Sequence, residues 1–104
     1  MNATEFRRIA LSFPGTSEKA HTAHPDFRVA GKIFATLGYP DADHGVLMLP
    51  LDDQQKMVAS NPAVFSPAKG AWGKRGSTQV RLTGVDRGTL RRAMALAWQK
   101  RREK

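Results

Sequence analysis

The sequence predicts a single α+β domain spanning residues 1–104, and three observations lead there. A chain of 104 residues can enclose one hydrophobic core but not two. Residues 3–13 and the stretch after Asp86 carry apolar side chains at helical spacing. Between them, proline and glycine cut the chain into short runs rich in Val, Ile, Phe and Thr, which is strand material. No run reaches the ~18 consecutive apolar residues of a membrane span. The charged start, with Glu5, Arg7 and Arg8, lacks the apolar stretch of a signal peptide, so a cytoplasmic location is expected. The chain has no cysteine, which excludes disulfides, thiolate metal sites and cysteine nucleophiles.

In chain order, Phe6, Ile9, Ala10 and Phe13 fall on one face of the first helix. Asn2 is placed to cap it, Glu5 stands in the capping-box position, and Pro14-Gly15 ends it. Strands are expected at 19–22, 26–30, 32–37 and 45–49. Ala30-Gly31 is short enough to be a two-residue hairpin turn, with the glycine at positive φ. That turn pairs Arg28 with Ile33 and Phe27 with Phe34. Both faces of the hairpin are then partly apolar, and the sequence does not say which one the helices cover. Asp52 is expected to cap a short helix running to Ser60, with Gln55 in the capping-box position and Asn61-Pro62 ending it. A glycine-rich basic loop, residues 69–76, leads into a strand at 77–82, with Thr78, Val80 and Leu82 on one side and Gln79 and Arg81 on the other. Asp86 caps the last helix, Val85 and Leu90 form a hydrophobic staple, and Leu90, Ala93, Met94, Ala97 and Trp98 make its buried stripe.

Charge is the strongest functional signal. The chain carries 17 Lys and Arg against 9 Asp and Glu, a net of +8. Residues 1–61 hold six basic and seven acidic side chains, whereas residues 62–104 hold eleven and two. A one-sided positive field draws in polyanions, although the same bias also serves solubility.

The order of several short motifs is familiar. Pro14-Gly15, then His24-Pro25-Asp26-Phe27-Arg28-Val29, then Gly31-Lys32-Ile33-Phe34-Ala35, and later Trp72-Gly73 before Thr78-Gln79-Val80-Arg81-Leu82 resemble the MmcQ/YjbR family of small bacterial proteins. The resemblance runs from the first helix to the last. It implies a fold similar to CyaY and frataxin, an antiparallel sheet with helices packed on one face. Family members are commonly labelled DNA-binding, which favours DNA over RNA, and the resemblance brings no catalytic motif. Many members carry an aromatic just after the basic loop, where this chain has Ser77. The iron-binding acidic ridge that a likeness to frataxin would suggest is not visible in a first helix holding Glu5 against Arg7 and Arg8.

The candidate nucleic-acid contacts are Lys69, Trp72, Lys74 and Arg75 in the basic loop, Arg81 on the next strand, and Arg91 and Arg92 on the last helix. Glycines let a backbone approach phosphates, Lys and Arg neutralise them, and an aromatic can stack on a base. The competing reading folds Trp72 into the core. On the last helix, Lys100, Arg101, Arg102 and Lys104 are also explained by helix-dipole compensation, whereas the early Arg87, Arg91 and Arg92 are less suited to it. The loop matches neither a Walker A motif, whose glycine spacing it lacks, nor a KH-type Gly-x-x-Gly loop, which joins two helices. Phe27 and Phe34 are expected in the core. Strand alternation sets His21 and His24 on opposite faces unless it breaks at Pro25, and Asp41, Asp43 and His44 read as turn chemistry. No cofactor motif or catalytic constellation is present. The expected partner is nucleic acid, bound with low sequence specificity. The alternative is an acidic protein bound by an interaction module, again without catalysis.

Overall fold

The computed structural model describes residues 1–21, 24–39 and 41–103, except for the side chains of Ala20 and His21. The ends expected at Thr22 and Lys104, and the break at Pro40, lie outside the described residues. Six strands form one antiparallel sheet: β1 (Thr16–His21), β2 (His24–Val29), β3 (Lys32–Leu37), β4 (His44–Met48), β5 (Phe65–Pro67) and β6 (Ser77–Arg81). Their order across the sheet is β1-β2-β3-β4-β6-β5, with every neighbouring pair antiparallel. The helices are α1 (Ala3–Ser12), α2 (Leu51–Ser60), α3 (Ala71–Lys74) and α4 (Arg87–Arg102).

One face of the sheet carries the core. Helix α1 buries Phe6, Ile9 and Ala10, and α4 buries Leu90, Ala93, Met94 and Ala97, on one cluster with Phe27, Phe34, Leu47 and Val80. Each fully buried Phe or Leu contributes roughly 1.5–3 kcal/mol relative to exposure, so this cluster outweighs any single cap or ion pair. Helix and sheet meet closely at Gly45, where a Cβ would come within 2.6 Å of the Phe6 ring. Because strand side chains alternate, Gly45, Leu47, Thr78 and Val80 face the helices, while Val46, Met48, Ser77 and Gln79 face away.

The caps at both end helices form as expected. Asn2 Oδ1 accepts from the Glu5 amide at 2.9 Å, and Asp86 Oδ1 accepts from the Thr89 amide at 2.7 Å. These bonds to Thr89 hold the Asp86 carboxyl below its ordinary pKa. Val85 and Leu90 are both buried, as a staple requires.

Four features differ from the sequence-based expectation. Helix α2 starts at Leu51 with Pro50 at its cap, so Asp52 lies in the first turn and favours the helix dipole instead of capping it. The two-residue Ala30-Gly31 turn forms as expected with Gly31 at φ 77°, and Ala30 is at positive φ as well, 53°, the geometry that matches strand twist. Arg28 faces Ile33 as expected, but Phe27 faces Ala35, because a β-bulge inserts Phe34 as an extra residue. The bulge lets the consecutive Phe34 and Ala35 both join the core cluster, where strict alternation would send one of them to the opposite face. Strand β5 and the one-turn α3 go unforeseen from sequence: β5 is a three-residue edge strand ending in proline, and α3 contains a glycine.

Two predictions follow from these local geometries. Ala30→Asn should stabilise the protein by up to about 1 kcal/mol, since asparagine tolerates the left-handed region better than alanine; thermal unfolding measures it. Asp86→Ala should lower the melting temperature at neutral pH. A depressed folded-state pKa gives stability that is present above the unfolded pKa and lost as pH falls through the folded one. The gap between wild type and Asp86→Ala should therefore narrow as pH falls through and below the ordinary aspartate range. A gap that stays constant with pH would reject the charged cap.

Candidate nucleic-acid interface

The face turned away from α1 and α4 holds a groove. One row of outward side chains runs across four adjacent strands: Asp26, Thr36, Val46 and Gln79 are successive register partners on β2, β3, β4 and β6. Met48 and Ser77 pair in the neighbouring row. Over this floor stand Trp72 from α3 on one side and Tyr39, with His24, on the other, enclosing about 500 Å³. From β2 to β6 is three strand spacings, ~14 Å. The His24 and Tyr39 rings meet edge-on at 5.7 Å.

Trp72 is 68% exposed and Tyr39 58% exposed, whereas every phenylalanine of the chain is buried. The question of whether Trp72 is core or surface is thereby decided: it is surface. Its position is nonetheless well defined. Gln54, buried on α2, donates from Nε2 to the carbonyls of Gly73 at 2.9 Å and Ser77 at 3.0 Å, tying down both ends of the turn that presents Trp72. The turn lies so close to the preceding chain that a Cβ at Gly73 would collide with the Ala68 carbonyl. Ser77 Oγ donates to Met48 Sδ at 3.2 Å and closes the corner beneath the turn.

The seven residues singled out from sequence fall into three places. Lys69 and Trp72 line the groove, and Lys74 and Arg75 lie on the same turn, Lys74 on its far flank beside Leu51, Gln54 and Gln55. Arg81 shares the groove's face of the sheet but sits at the other end of β6, 3.9 Å from Asp43. Arg91 and Arg92 are on α4, behind the sheet, and do not join the loop. Arg91 lies over the Phe13 ring at 5.3 Å and donates to Ser12 Oγ at 3.2 Å, while Arg92 donates to Thr89 Oγ1 at 3.4 Å. Further along α4, Arg102 lies over Trp98 at 4.7 Å, and Trp98 stacks on Phe13. The C-terminal end of α4 does approach the loop. Lys100 donates to the Leu49 carbonyl at 3.0 Å, and burial there pushes its pKa down.

Sequence reasoning missed Tyr39, Val46, Met48, Thr36 and Gln79 as groove residues. Alternation along β6 had already set Gln79 apart from the core, so the signal existed there. The polar β3–β4 loop behaves as expected: Asp41 accepts from the Asp43 amide at 2.9 Å and pairs with His44 Nδ1 at 2.7 Å, which holds the Asp41 carboxyl below its ordinary range. His21 and His24 are register partners on the adjacent strands β1 and β2, not members of one strand. Among the described residues, no three His, Asp or Glu side chains gather in a way that could hold a metal ion. No helix is long and apolar enough to cross a membrane, among the described residues.

Comparison with known proteins agrees with this architecture. The crystal structure of a Deinococcus radiodurans protein with a DUF419 domain superposes with a TM-score of 0.75 over 93% of this chain and 75% of that one, at 15% identity. That likeness establishes the fold. No curated protein matches the sequence. The YjbR family model matches residues 11–100, nearly the whole chain from the end of α1 to the end of α4. The chain therefore belongs to the YjbR family.

Proposed function

We propose that this domain binds nucleic acid, DNA in preference to RNA, through the open sheet face and the basic turn beside it, and that it is a binding module without catalytic activity. The single observation that carries the reading is Trp72: a large aromatic, mostly exposed, held by buried hydrogen bonds in a turn, with Lys69 beside it in the groove and Lys74 and Arg75 on the same turn. A tryptophan serving only stability would be buried. Cations flanking an exposed ring on an open sheet are the parts a strand-binding surface needs, phosphate neutralisation and base stacking. The basic side chains make such binding weakly sequence-specific and strongly salt-dependent.

A second reading, docking of an acidic protein segment, draws on the helix layer. There Arg91 and Arg102 flank the stacked Phe13 and Trp98 rings, each guanidinium set over one of them. A partner that co-purifies after nuclease treatment and is lost on replacing Arg91 and Arg102 would support it.

Fluorescence anisotropy with labelled oligonucleotides at two salt concentrations tests the main proposal. Binding at low salt should weaken steeply as salt rises, and no binding at low salt would overturn it. The triple variant Lys69→Ala, Lys74→Ala, Arg75→Ala should bind more weakly and reduce the dependence of log affinity on log salt by roughly two to three. Replacing Arg91 and Arg92 together by alanine should change affinity by less than about threefold, because those residues sit behind the sheet, too far from the turn to share its phosphates. A loss as large as the triple variant's would move the site to the helix layer.

A further inference from the structure

From the groove beneath Trp72 we infer a pocket for one unpaired nucleobase, so that the ligand is a single-stranded or splayed-out nucleotide and not an intact duplex. This inference rests on the nucleic-acid reading above and deepens it. The floor is Thr36, Val46 and Met48, a flat and mostly apolar patch of pleated sheet. Trp72 forms one wall and Tyr39 the other, and Lys69 stands at the rim beside Trp72. The enclosed volume, about 500 Å³, falls in the range of small-ligand pockets and leaves no room for the width of a duplex.

The chemistry points the same way. In a duplex each base is covered above and below by its neighbours, so its face can reach an aromatic wall only after it leaves the stack. An unpaired base exposes that face, which Trp72 can cover, while Lys69 meets its phosphate. Thr36 and Gln79 both donate and accept hydrogen bonds, so the floor can meet the edge of any base, and the pocket selects for an unpaired state more than for a base type. Ser77 is the gate to this space. It is buried in the corner between Met48 and the Trp72 turn, and its side chain faces the groove. A large side chain there would occupy the room that a base needs without altering any charge.

The test uses the full chain with Trp98→Phe, which leaves Trp72 as the one tryptophan of the two in the sequence. Deoxynucleoside monophosphates, oligothymidylate and a blunt self-complementary duplex are titrated while tryptophan fluorescence is read, with anisotropy of the same labelled oligonucleotides in parallel. Monophosphates and oligothymidylate should quench Trp72 saturably, and the duplex should not. Adding Ser77→Phe should abolish the monophosphate signal and weaken oligothymidylate binding roughly tenfold, the size of one lost base–aromatic stack. Circular dichroism checks that this variant folds. If it does not, Trp72→Leu, at an exposed position, should weaken oligothymidylate binding by a similar factor in anisotropy. Oligothymidylate that binds without quenching Trp72, or a duplex that quenches equally well, would overturn the pocket while leaving the broader nucleic-acid reading intact. Quenching by monophosphates with no binding of any oligonucleotide would support the pocket and overturn that broader reading.

Discussion

Phe6 rests against Gly45 in β4, where any Cβ would come within 2.6 Å of its ring, and it reaches there from α1, which packs along β1 and β3. Helix α4 packs beside it across β3 and β4. Together these two helices bury the apolar residues of one sheet face, among them Phe27, Phe34, Leu47 and Val80. Covering a six-stranded sheet on both faces would require more helices than this chain supplies. The two remaining helices are spent elsewhere: α2 lies against the edge strand β5, and α3 is a single turn beside β6. One face is therefore left open, and its composition, Thr36, Val46, Met48 and Gln79, follows from strand alternation once the other face is committed to the core.

The open face gains a wall because the chain between β5 and β6 is folded tightly. Gln54 spends its buried amide on two carbonyls of this segment, Gly73 packs against the Ala68 carbonyl, and the turn that results holds Trp72 out over Met48 and Ser77. The Gly73 and Ser77 carbonyls also accept from the Gly76 and Ala68 amides, so Gln54 adds a second bond to each, worth about 0.5–1.5 kcal/mol net apiece, which gives the turn a reason to be ordered without burying its tryptophan. The C-terminal charge surplus is divided by the same architecture. Lys69, Lys74 and Arg75 stand with Trp72, whereas Arg91 and Arg102 are laid over Phe13 and Trp98 on the helix layer. A charge that is one-sided along the sequence is thus two-sided in space.

Much of the local structure is legible in the sequence. Asn2 and Asp86 announce their helices because a short polar side chain before an apolar-periodic run satisfies the first free amides, and both do so here. The order of helix, strands, helix, strand and helix is recovered, and so is the family, from motifs read in sequence. Where local signals are weak, the reading fails for identifiable reasons. Asp52 looks like a cap, but Pro50 already occupies the position from which the helix can start. The Phe34 bulge has no local signature, since it answers to the need to turn two consecutive residues to the same helix-covered face.

The sequence by itself determined the fold class, the caps of the first and last helices, their core stripes and the residues of the basic turn, because each depends on neighbours within a few positions along the chain. Only the tertiary structure decided which sheet face is covered, that Trp72 stands outside the core, and that Arg91 and Arg92 lie behind the sheet from it. Those outcomes depend on contacts between residues far apart in sequence: Phe6 with Gly45, Gln54 with Gly73 and Ser77, Arg91 with Phe13. Strand alternation sorts side chains into two sets, but it is the packing of two helices on one of them that makes the other a surface.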